Sequence, residues 1–304
     1  MKKLERLIQS FLVPPGKEIS LKDYDPGDTS GLVKKKKEDA AKLLQEGVQL
    51  LSEYQDKLYA QDAHALLIIL QAMDAAGKDS VIKHVMSGLN PQGCQVYSFK
   101  TPSTEELDHD YLWRNFKALP ERGRIGIFNR SYYEEVLVVR VHPELLKRQR
   151  LPAEARTKEI WTRRFEEINS FEKYLVANGI VVTKLFLNVS KEEQRKRFLE
   201  RIDLPDKKWK FSFSDATERA FWSDYMKAYE EVFNHTSTEW APWYVIPADH
   251  KWFTRLAVAA VIAATMQEIN PEYPTMSPEQ EQELLKAKQV LVTEGPAHGA
   301  GGSR

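Results

Sequence analysis

The segment 66–80, with the sequence LLIILQAMDAAGKDS, constrains this chain more than any other stretch. A run of large apolar residues ends abruptly at small residues, Gly77 and Lys78 follow, and a helix-like pattern begins directly after them. A strand, a tight loop with a lysine and then a helix is the layout of a phosphate-binding loop. In such a loop, backbone N–H groups and the helix N-terminus together hold an anion. An ordinary strand–turn–helix is the alternative interpretation.

The loop departs from the usual spacing of its motif. Ala72 stands where the first glycine is expected, Asp79 replaces the hydroxyl residue after the lysine, and Asp74 adds a carboxylate. We expect Lys78 to place a point charge on the outer phosphates of a bound ligand. The residues predicted to line the anion site are Ala75, Ala76, Gly77, Lys78 and Asp79.

Beyond this loop, short apolar segments alternate with helical patterns along the chain. The segments predicted to form strands are 65–71, 95–99, 125–128, 180–189 and 244–246. Helices are predicted near 37–60, 79–89, 104–118, 157–178, 190–202, 215–235 and 250–268. Such alternation is typical of a parallel sheet covered by helices on both faces. We therefore predict an α/β protein with three layers, αβα, around a central five-stranded parallel sheet.

Polar residues follow the third apolar segment, in the sequence IGIFNRSYYEEVLVVRV. Ligands of an open parallel sheet bind at the carboxyl ends of its strands, which is where Asn129 and Arg130 fall. Arg130 suits bidentate contact with phosphate. Asp74, Asn129 and Glu134 are candidate ligands of Mg²⁺, because this ion prefers oxygen and keeps several waters. A surface pair of Arg130 and Glu134 at i,i+4 spacing is the alternative.

Basic residues form two further candidate sites. Arg140 lies within the apolar stretch 136–141, where an arginine needs a phosphate or a carboxylate as its partner. The segment 194–219 is rich in lysine and arginine, and its helical pattern breaks at 204–206. Within it, Arg197 and Arg201 share one helix face. A basic loop between helices is typical of a lid that closes over phosphates, and a solvated charged surface is the alternative.

Composition excludes several classes of protein. The chain has 44 Lys and Arg against 44 Asp and Glu in 304 residues, so its overall charge does not indicate a nucleic-acid partner. The single cysteine excludes an internal disulfide, and nothing indicates secretion. No apolar run has the length of a membrane span. We expect a soluble cytoplasmic protein with no nucleic-acid or membrane partner.

Several blocks of the sequence together resemble the polyphosphate kinase 2 family. They are AMDAAGKDS at 72–80, GLNPQG at 88–93, HDYLWR at 109–114, FNRSYYEEVLVVRVHPE at 128–144, RIDLPDKKWKFS at 201–212 and TSTEWAPWYVIPAD at 236–249. The resemblance covers about residues 15–270 in order and spacing, which is more specific than one loop motif. It implies a P-loop kinase-like fold similar to thymidylate kinase, with a helical lid at about 201–215. It also implies Mg²⁺-dependent transfer of a terminal phosphoryl group from inorganic polyphosphate to a nucleotide.

The blocks are most similar to the third subgroup of this family, which implies conversion of AMP to ADP and of ADP to ATP. Asn129 is part of that similarity, since other subgroups carry Asp there. The resemblance implies that Asp74 and Glu134 bind the metal with Asn129 next to them, and that Lys78, Arg130 and Arg140 bind phosphate. The lid residues would be Arg197, Arg201, Lys208 and Lys210. The expected catalytic residues are Asp74, Lys78, Arg130 and Glu134.

The position of the nucleotide base and the activity itself have alternatives. Asn90, Pro91 and the region 107–113 are candidates for the nucleotide site because they flank the second strand. One rival activity is that of an ATP-dependent nucleoside or nucleotide kinase of the thymidylate kinase type. The other is a non-catalytic polyanion-binding protein, against which the carboxylates of Asp74 and Glu134 argue. We expect an N-terminal arm at 1–36, a catalytic domain at 37–270, a C-terminal helix with a disordered tail within 271–304, and a homo-oligomer.

Overall fold

The structure is a computed structural model that describes residues 2–32, 37–206 and 208–294, with the side chains at 2–5, 37–40 and 210 left undescribed. Five strands form one sheet in the order β2-β3-β1-β4-β5, and all neighbouring pairs are parallel. The strands are β1 (Ala65–Ala72), β2 (Cys94–Ser98), β3 (Ile125–Asn129), β4 (Ile180–Asn188) and β5 (Trp243–Pro247). The predicted five-stranded parallel sheet is confirmed.

Twelve α-helices surround this sheet within the described ranges. They are α1 (Lys2–Phe11), α2 (Lys37–Gln61), α3 (Lys78–Val85), α4 (Thr104–Leu107), α5 (Trp113–Phe116), α6 (Val138–Val141), α7 (Ile160–Ala177), α8 (Lys191–Asp203), α9 (Phe213–Glu218), α10 (Trp222–Thr236), α11 (Lys251–Ile269) and α12 (Pro278–Thr293). In the described part of the chain, no helix combines the length and the apolar character that crossing a membrane requires.

Adjacent residues of β4 show which helices cover each face of the sheet. Thr183 bonds to Thr265 of α11, whereas Lys184 bonds to Glu172 of α7. Because successive strand residues point to opposite faces, α11 and α7 lie on opposite sides. Helices α2 and α3 pack with α11, and α10 packs with α7. The central strand β1 is therefore enclosed from both sides, and all its residues are buried.

The predicted helix over 104–118 is wrong, because the chain forms two separate turns of helix, α4 and α5. The side chain of Asp110 accepts the backbone N–H of Leu112 at 2.9 Å, and such a local bond competes with helix formation. The ring of His109 stacks on Trp113 with 3.8 Å between centroids, which fixes the intervening bend. The chain between β2 and β3 is thus folded back, not extended along one helix axis.

Residues 11–13 pack at the β5 edge of the sheet. The N–H of Val13 donates to the carbonyl of Trp243 in β5 at 2.9 Å. Phe11 is 2% exposed and meets the ring of Phe253 edge-on, 6.1 Å between centroids. At the other end, α12 begins with the capping box of Ser277 and Gln280. The predicted division into arm, domain and C-terminal helix stays a prediction, and the predicted disordered tail at 295–304 lies outside the described residues.

The burial of Phe11 gives a test of whether the N-terminal segment is an arm or part of the core. Phe11→Ala should lower the free energy of unfolding by about 3–5 kcal/mol, the usual cost of emptying a buried aromatic site. The exposed Phe213, 81% accessible, serves as the matched control, and Phe213→Ala should cost less than about 1 kcal/mol. Urea unfolding followed by circular dichroism measures both. Equal, small losses would mean that the segment contributes nothing to the core.

Candidate active site

The sheet register brings three loops to one edge of the molecule. In the register of β1 with its neighbours, Leu70 lies beside Asn129 of β3 and Ala72 beside Leu187 of β4. The carboxyl ends of these strands therefore meet, and the loop after each one opens onto the same space. This is the edge at which ligands bind in open α/β sheets.

The loop between β1 and α3 has a strained backbone that helix α8 holds from behind. Ala75 and Gly77 both have positive φ, 62° and 112°. The guanidinium of Arg197, 3% exposed, donates to the carbonyls of Ala75 and Ala76 at 3.0 and 2.7 Å. These bonds leave the loop carbonyls occupied, whereas the first N–H groups of α3 have no intrahelical acceptor, as at any helix N-terminus. The loop can therefore offer backbone N–H donors to an anion.

Arg197 also ties this loop to the end of β5. Its other terminal nitrogen donates to the carbonyls of Ala248 and Asp249 at 2.6 and 3.1 Å, and its Nε donates to Glu193 at 2.8 Å. A side chain with all its donors engaged and almost no exposed surface is not a mobile lid residue in this conformation. The i,i+4 spacing of Arg197 and Arg201 predicts that they share a helix face. It could not show that Arg197 is buried, because spacing does not report burial.

Lys78, the first residue of α3, reaches back over the loop and donates to the carbonyl of Ala72 at 3.0 Å. Burial lowers the pKa of Lys78 to about 8, and the charge of Arg130 acts in the same direction. The carboxylates of Asp74, Glu134 and Asp79 oppose that shift only in part. An anion in the loop would favour the charged form of this amine.

Arg130 joins the loop to the segment after β3. Its backbone adopts φ 66°, an uncommon conformation for a residue with a side chain, and its N–H donates to Leu70 at 3.1 Å. The guanidinium lies between two carboxylates, 2.7 Å from Asp74 and 3.3 Å from Glu134. The i,i+4 pair with Glu134 that the sequence allowed is present. Because Arg130 also contacts Asp74, and more closely, the three residues form a bridge from the loop after β1 to the segment after β3.

The three predicted metal ligands do not form one cluster. Asn129 turns its amide nitrogen toward Asp79 at 2.8 Å, whereas Asp74 and Glu134 both face Arg130. The described residues contain no group of three His, Cys, Asp or Glu that could hold a metal ion. The carboxylates of Asp74 and Glu134 nevertheless lie near each other, because both contact the guanidinium of Arg130. They fit Mg²⁺, which proteins commonly bind through one or two carboxylates together with substrate phosphates and water.

Among the described side chains, no hydrogen bond or ion pair joins Arg140, Arg201 or Lys208 to the loop at 73–77. Arg140 pairs with Glu231 of α10, so the carboxylate partner that its apolar surroundings require is present. Arg201 lies over the ring of Phe198, 5.7 Å from its centroid, and Lys208 is exposed. Lys207 and the side chain of Lys210 lie outside the described residues. Contact of this group with a phosphate stays a prediction.

A cleft of about 170 Å³ opens beside Arg130 and Glu134, and the sequence predicted only some of the residues that line it. Residues Leu107, His109 and Tyr111 line it, as the candidate region 107–113 anticipated. Four of its residues that the sequence did not single out are Arg114, Glu135, Arg148 and Gln149. Asn90 and Pro91 instead precede β2, at the amino end of that strand. There the backbone of Asn90 bonds to the side chain of Gln55.

One wall of this cleft is held by a buried ion pair. Arg164 of α7 lies 3.3 Å from Glu135 and stacks over the ring of Tyr111, 4.1 Å from its centroid. Gln149 donates to Glu135 at 2.7 Å. Burial raises the pKa of Glu135, which Arg164 partly offsets. Glu135 follows Glu134 directly in the sequence, and only the 3₁₀ turn at Tyr132–Glu135 shows that the two carboxylates face different partners.

The family model for polyphosphate kinase 2 matches residues 33–274 of the chain. The chain belongs to the polyphosphate kinase 2 family. The resemblance predicted from the sequence blocks is thereby confirmed. Within the family model's span lie the loop at Lys78, the bridge at Arg130 and the basic segment after α8.

Similar proteins and a solved structure agree with this assignment. The chain is 55% identical to the ADP-polyphosphate phosphotransferase of Rhodopseudomonas palustris over 84% of its length and 89% of that protein. It is 41% identical to the AMP/ADP-polyphosphate phosphotransferase of Meiothermus ruber over 88% and 96%. The crystal structure of polyphosphate kinase 2 from Arthrobacter aurescens TC1 superposes with a TM-score of 0.82 at 40% identity, covering 93% of this chain and 95% of that one. The predicted kinase-like α/β fold is confirmed.

The lowered pKa of Lys78 predicts how anion binding depends on pH. Since the amine loses its proton above about pH 8, the affinity for inorganic tripolyphosphate should fall above that pH, by at most tenfold per pH unit. Lys78→Arg keeps its charge and should flatten that decline. Lys78→Ala should bind roughly tenfold or more weakly below about pH 8, the cost of one charge-assisted hydrogen bond, and its affinity should approach that of wild type above that pH. Isothermal titration calorimetry from about pH 6 to about pH 10, roughly two units either side of the midpoint, measures this. Parallel pH profiles of wild type and Lys78→Arg would remove Lys78 from the anion site.

Proposed function

We propose that this chain transfers the terminal phosphoryl group of inorganic polyphosphate to AMP and to ADP, giving ADP and ATP. The observation that carries this proposal is the Asp74–Arg130–Glu134 bridge, which joins the loop at 73–77 to a separate cleft. Relatives named for transfer between polyphosphate and AMP or ADP support the choice of substrates. Each turnover shortens the polyphosphate by one phosphate, which becomes the outermost phosphate of the nucleotide.

Phosphoryl transfer asks the protein mainly for placement and for positive charge around the moving group. The loop at 73–77 and Lys78 would hold the end of the donor. Arg130 would leave its two carboxylates and contact the transferring phosphate in a bidentate manner. The released carboxylates of Asp74 and Glu134 would then be free for a metal. Arg197 supports this reaction by holding the loop carbonyls, so we assign it a positioning role.

Asp74 and Glu134 would hold Mg²⁺, and Asn129 would join them by turning away from Asp79, to which its amide nitrogen donates in the structure. Bound there, the ion would neutralise charge that develops on the phosphate oxygens of the transferring group. The chain's own contribution is the direction of these carboxylates, which the loop fixes on one side and the 3₁₀ turn after β3 on the other. Arg130 compensates their charge when no metal is present.

The cleft beside Arg130 would take the acceptor nucleotide. Its apolar and aromatic residues, Phe99, Leu107 and Val138 among them, suit a base, and Arg114 and Arg148 suit the acceptor's own phosphates. The lid, with Arg201, Lys208 and Lys210, would close over the donor chain, because flexible lysines can follow a polyanion. Arg140 would bind phosphate from the side of α10, where it pairs with Glu231 in the structure.

The two rival activities are not favoured. An ATP-dependent nucleotide kinase would share the loop chemistry, but the relatives are named for polyphosphate transfer. A polyanion-binding protein without catalysis would gain nothing from Asp74 and Glu134, since carboxylates repel a polyanion unless a cation lies between them. The predicted cytoplasmic location and homo-oligomeric state stay predictions.

The proposed activity is tested by supplying polyphosphate and Mg²⁺ with AMP alone or with ADP alone and then separating the nucleotides. Both ADP and ATP should form from AMP, and ATP from ADP. Lys78→Ala should reduce each rate by about 10²–10³-fold, the typical cost of losing one charge-stabilising contact in the transition state. Product from ADP but not from AMP would restrict the acceptor to ADP. Product with ATP as donor, and none with polyphosphate, would favour the rival kinase.

The metal assignment predicts a change in the Mg²⁺ requirement. Asp74→Asn and Glu134→Gln keep the shape of each side chain and remove its charge, so each should raise the Mg²⁺ concentration at half-maximal rate by about tenfold and lower the maximal rate. Glu121, which pairs with Arg124 at 3.8 Å on the surface, provides the control variant Glu121→Gln. Unchanged Mg²⁺ curves in both site variants would make Asp74 and Glu134 partners of Arg130 only.

A further inference from the structure

A buried ion pair lies directly behind the segment that carries Arg130 and Glu134. Lys184 of β4 and Glu172 of α7 are both 0% exposed, and Lys184 Nζ lies 2.6 Å from Glu172 Oε2. Withdrawing two opposite charges from water is unfavourable unless hydrogen bonds satisfy every remaining donor and acceptor. No step of the proposed reaction uses either residue, so their presence in the core requires another explanation.

The hydrogen bonds of this pair reach the catalytic segment. Lys184 also donates to Tyr133 Oη at 3.0 Å and to the carbonyl of Thr236 at 2.7 Å, which engages all three of its N–H groups. The other oxygen of Glu172 accepts the hydroxyls of Tyr132 and Tyr133, each at 2.8 Å. The network is therefore fully satisfied, and it joins a strand and two helices to two consecutive tyrosines.

These tyrosines stand between the two functional residues in the sequence. Arg130 precedes them with φ 66°, and Glu134 follows Tyr133 directly. A left-handed backbone at an arginine persists only where the surrounding structure determines it. Both tyrosine rings are buried, at 2% and 0% exposure, and the hydroxyl of Ser131 accepts the N–H of Tyr133 at 3.2 Å.

We infer that Lys184 and Glu172 are positioning residues, which fix the directions of Arg130 and Glu134 through the hydroxyls of Tyr132 and Tyr133. An apolar pair of similar volume would serve the stability of the core as well or better. A satisfied ionic network instead specifies a single arrangement of the groups bonded to it. The inference rests on the proposed function where it concerns turnover, and on the structure alone where it concerns the order of the segment.

The test uses two independent measurements on the full-length protein. Hydrogen exchange of peptides covering 129–137 reports the order of the segment without any substrate. Steady-state kinetics with polyphosphate and ADP, at a temperature where each variant is fully folded, reports turnover. Glu172→Gln keeps the shape of the side chain, removes its charge and leaves Lys184 without a counter-ion. It should speed exchange across 129–137 and lower kcat by about 10–100-fold, because small displacements of reacting groups have effects of this size.

The control lies on the same strand and faces the other way. Thr183 bonds to Thr265 on the opposite side of the sheet, so Thr183→Val removes a buried hydrogen bond without touching the tyrosines. It should lower the melting temperature but leave exchange at 129–137, kcat and KM unchanged. Glu172→Gln should change KM for either substrate by less than about threefold, since the binding surfaces outside the segment remain intact.

A second variant decides the question if Glu172→Gln fails to fold. Tyr133→Phe removes one hydroxyl, keeps the ion pair, and should lower kcat by about threefold to tenfold, since one hydrogen bond is lost. Variants that are less stable than wild type, yet show wild-type exchange at 129–137 and wild-type kcat, would overturn the inference. If wild type itself transferred no phosphate from polyphosphate, the proposed function would fail, whereas the exchange measurement would still decide whether the network orders the segment.

Discussion

The contacts of Arg130 with Asp74 and Glu134 are the interaction on which the rest of this site depends. They link the loop after β1 to the segment after β3, and they hold two carboxylates in place. A carboxylate beside a phosphate-binding loop would repel its ligand unless a cation lay between them. Arg130 supplies that cation, and its guanidinium can exchange a carboxylate for a phosphate, because each offers two oxygen atoms that accept from the planar guanidinium fork.

Buried charges elsewhere in the molecule determine the shape of this site. Arg197 holds the loop carbonyls, and Arg164 with Glu135 holds a wall of the neighbouring cleft. In both cases the charged groups are almost removed from water, where unsatisfied donors are costly. The chain's equal numbers of acidic and basic residues conceal this segregation, since the cations that matter are placed individually in the interior and around one edge of the sheet.

The sequence predicted the sheet well and the cleft poorly, for physical reasons. A strand buried on both faces must be apolar throughout, so its boundaries are visible in the chain, as at Ala65–Ala72. The positions of Lys78 and Arg130 follow from the carboxyl ends of adjacent strands, whereas the contact of Arg130 with Asp74 was found only in the structure. The conformation of the chain at 104–118 instead depends on the local hydrogen bond of Asp110 and on the stacking of His109 on Trp113. Helical periodicity in a sequence reveals neither contact. The roles of Glu172 and Lys184 depend on contacts between distant segments and leave no local pattern.

The central claim, that Arg130 exchanges carboxylates for phosphate while Asp74 and Glu134 take a metal, is tested most directly by a crystal structure with Mg²⁺ and a non-hydrolysable methylene analogue of polyphosphate. The account predicts that the 2.7 Å contact between Arg130 and Asp74 opens, that Arg130 contacts a phosphonate oxygen, and that a carboxylate oxygen of Asp74 or Glu134 lies about 2.1 Å from the metal. An intact contact between Arg130 and Asp74, with the metal bound by other residues, would contradict it.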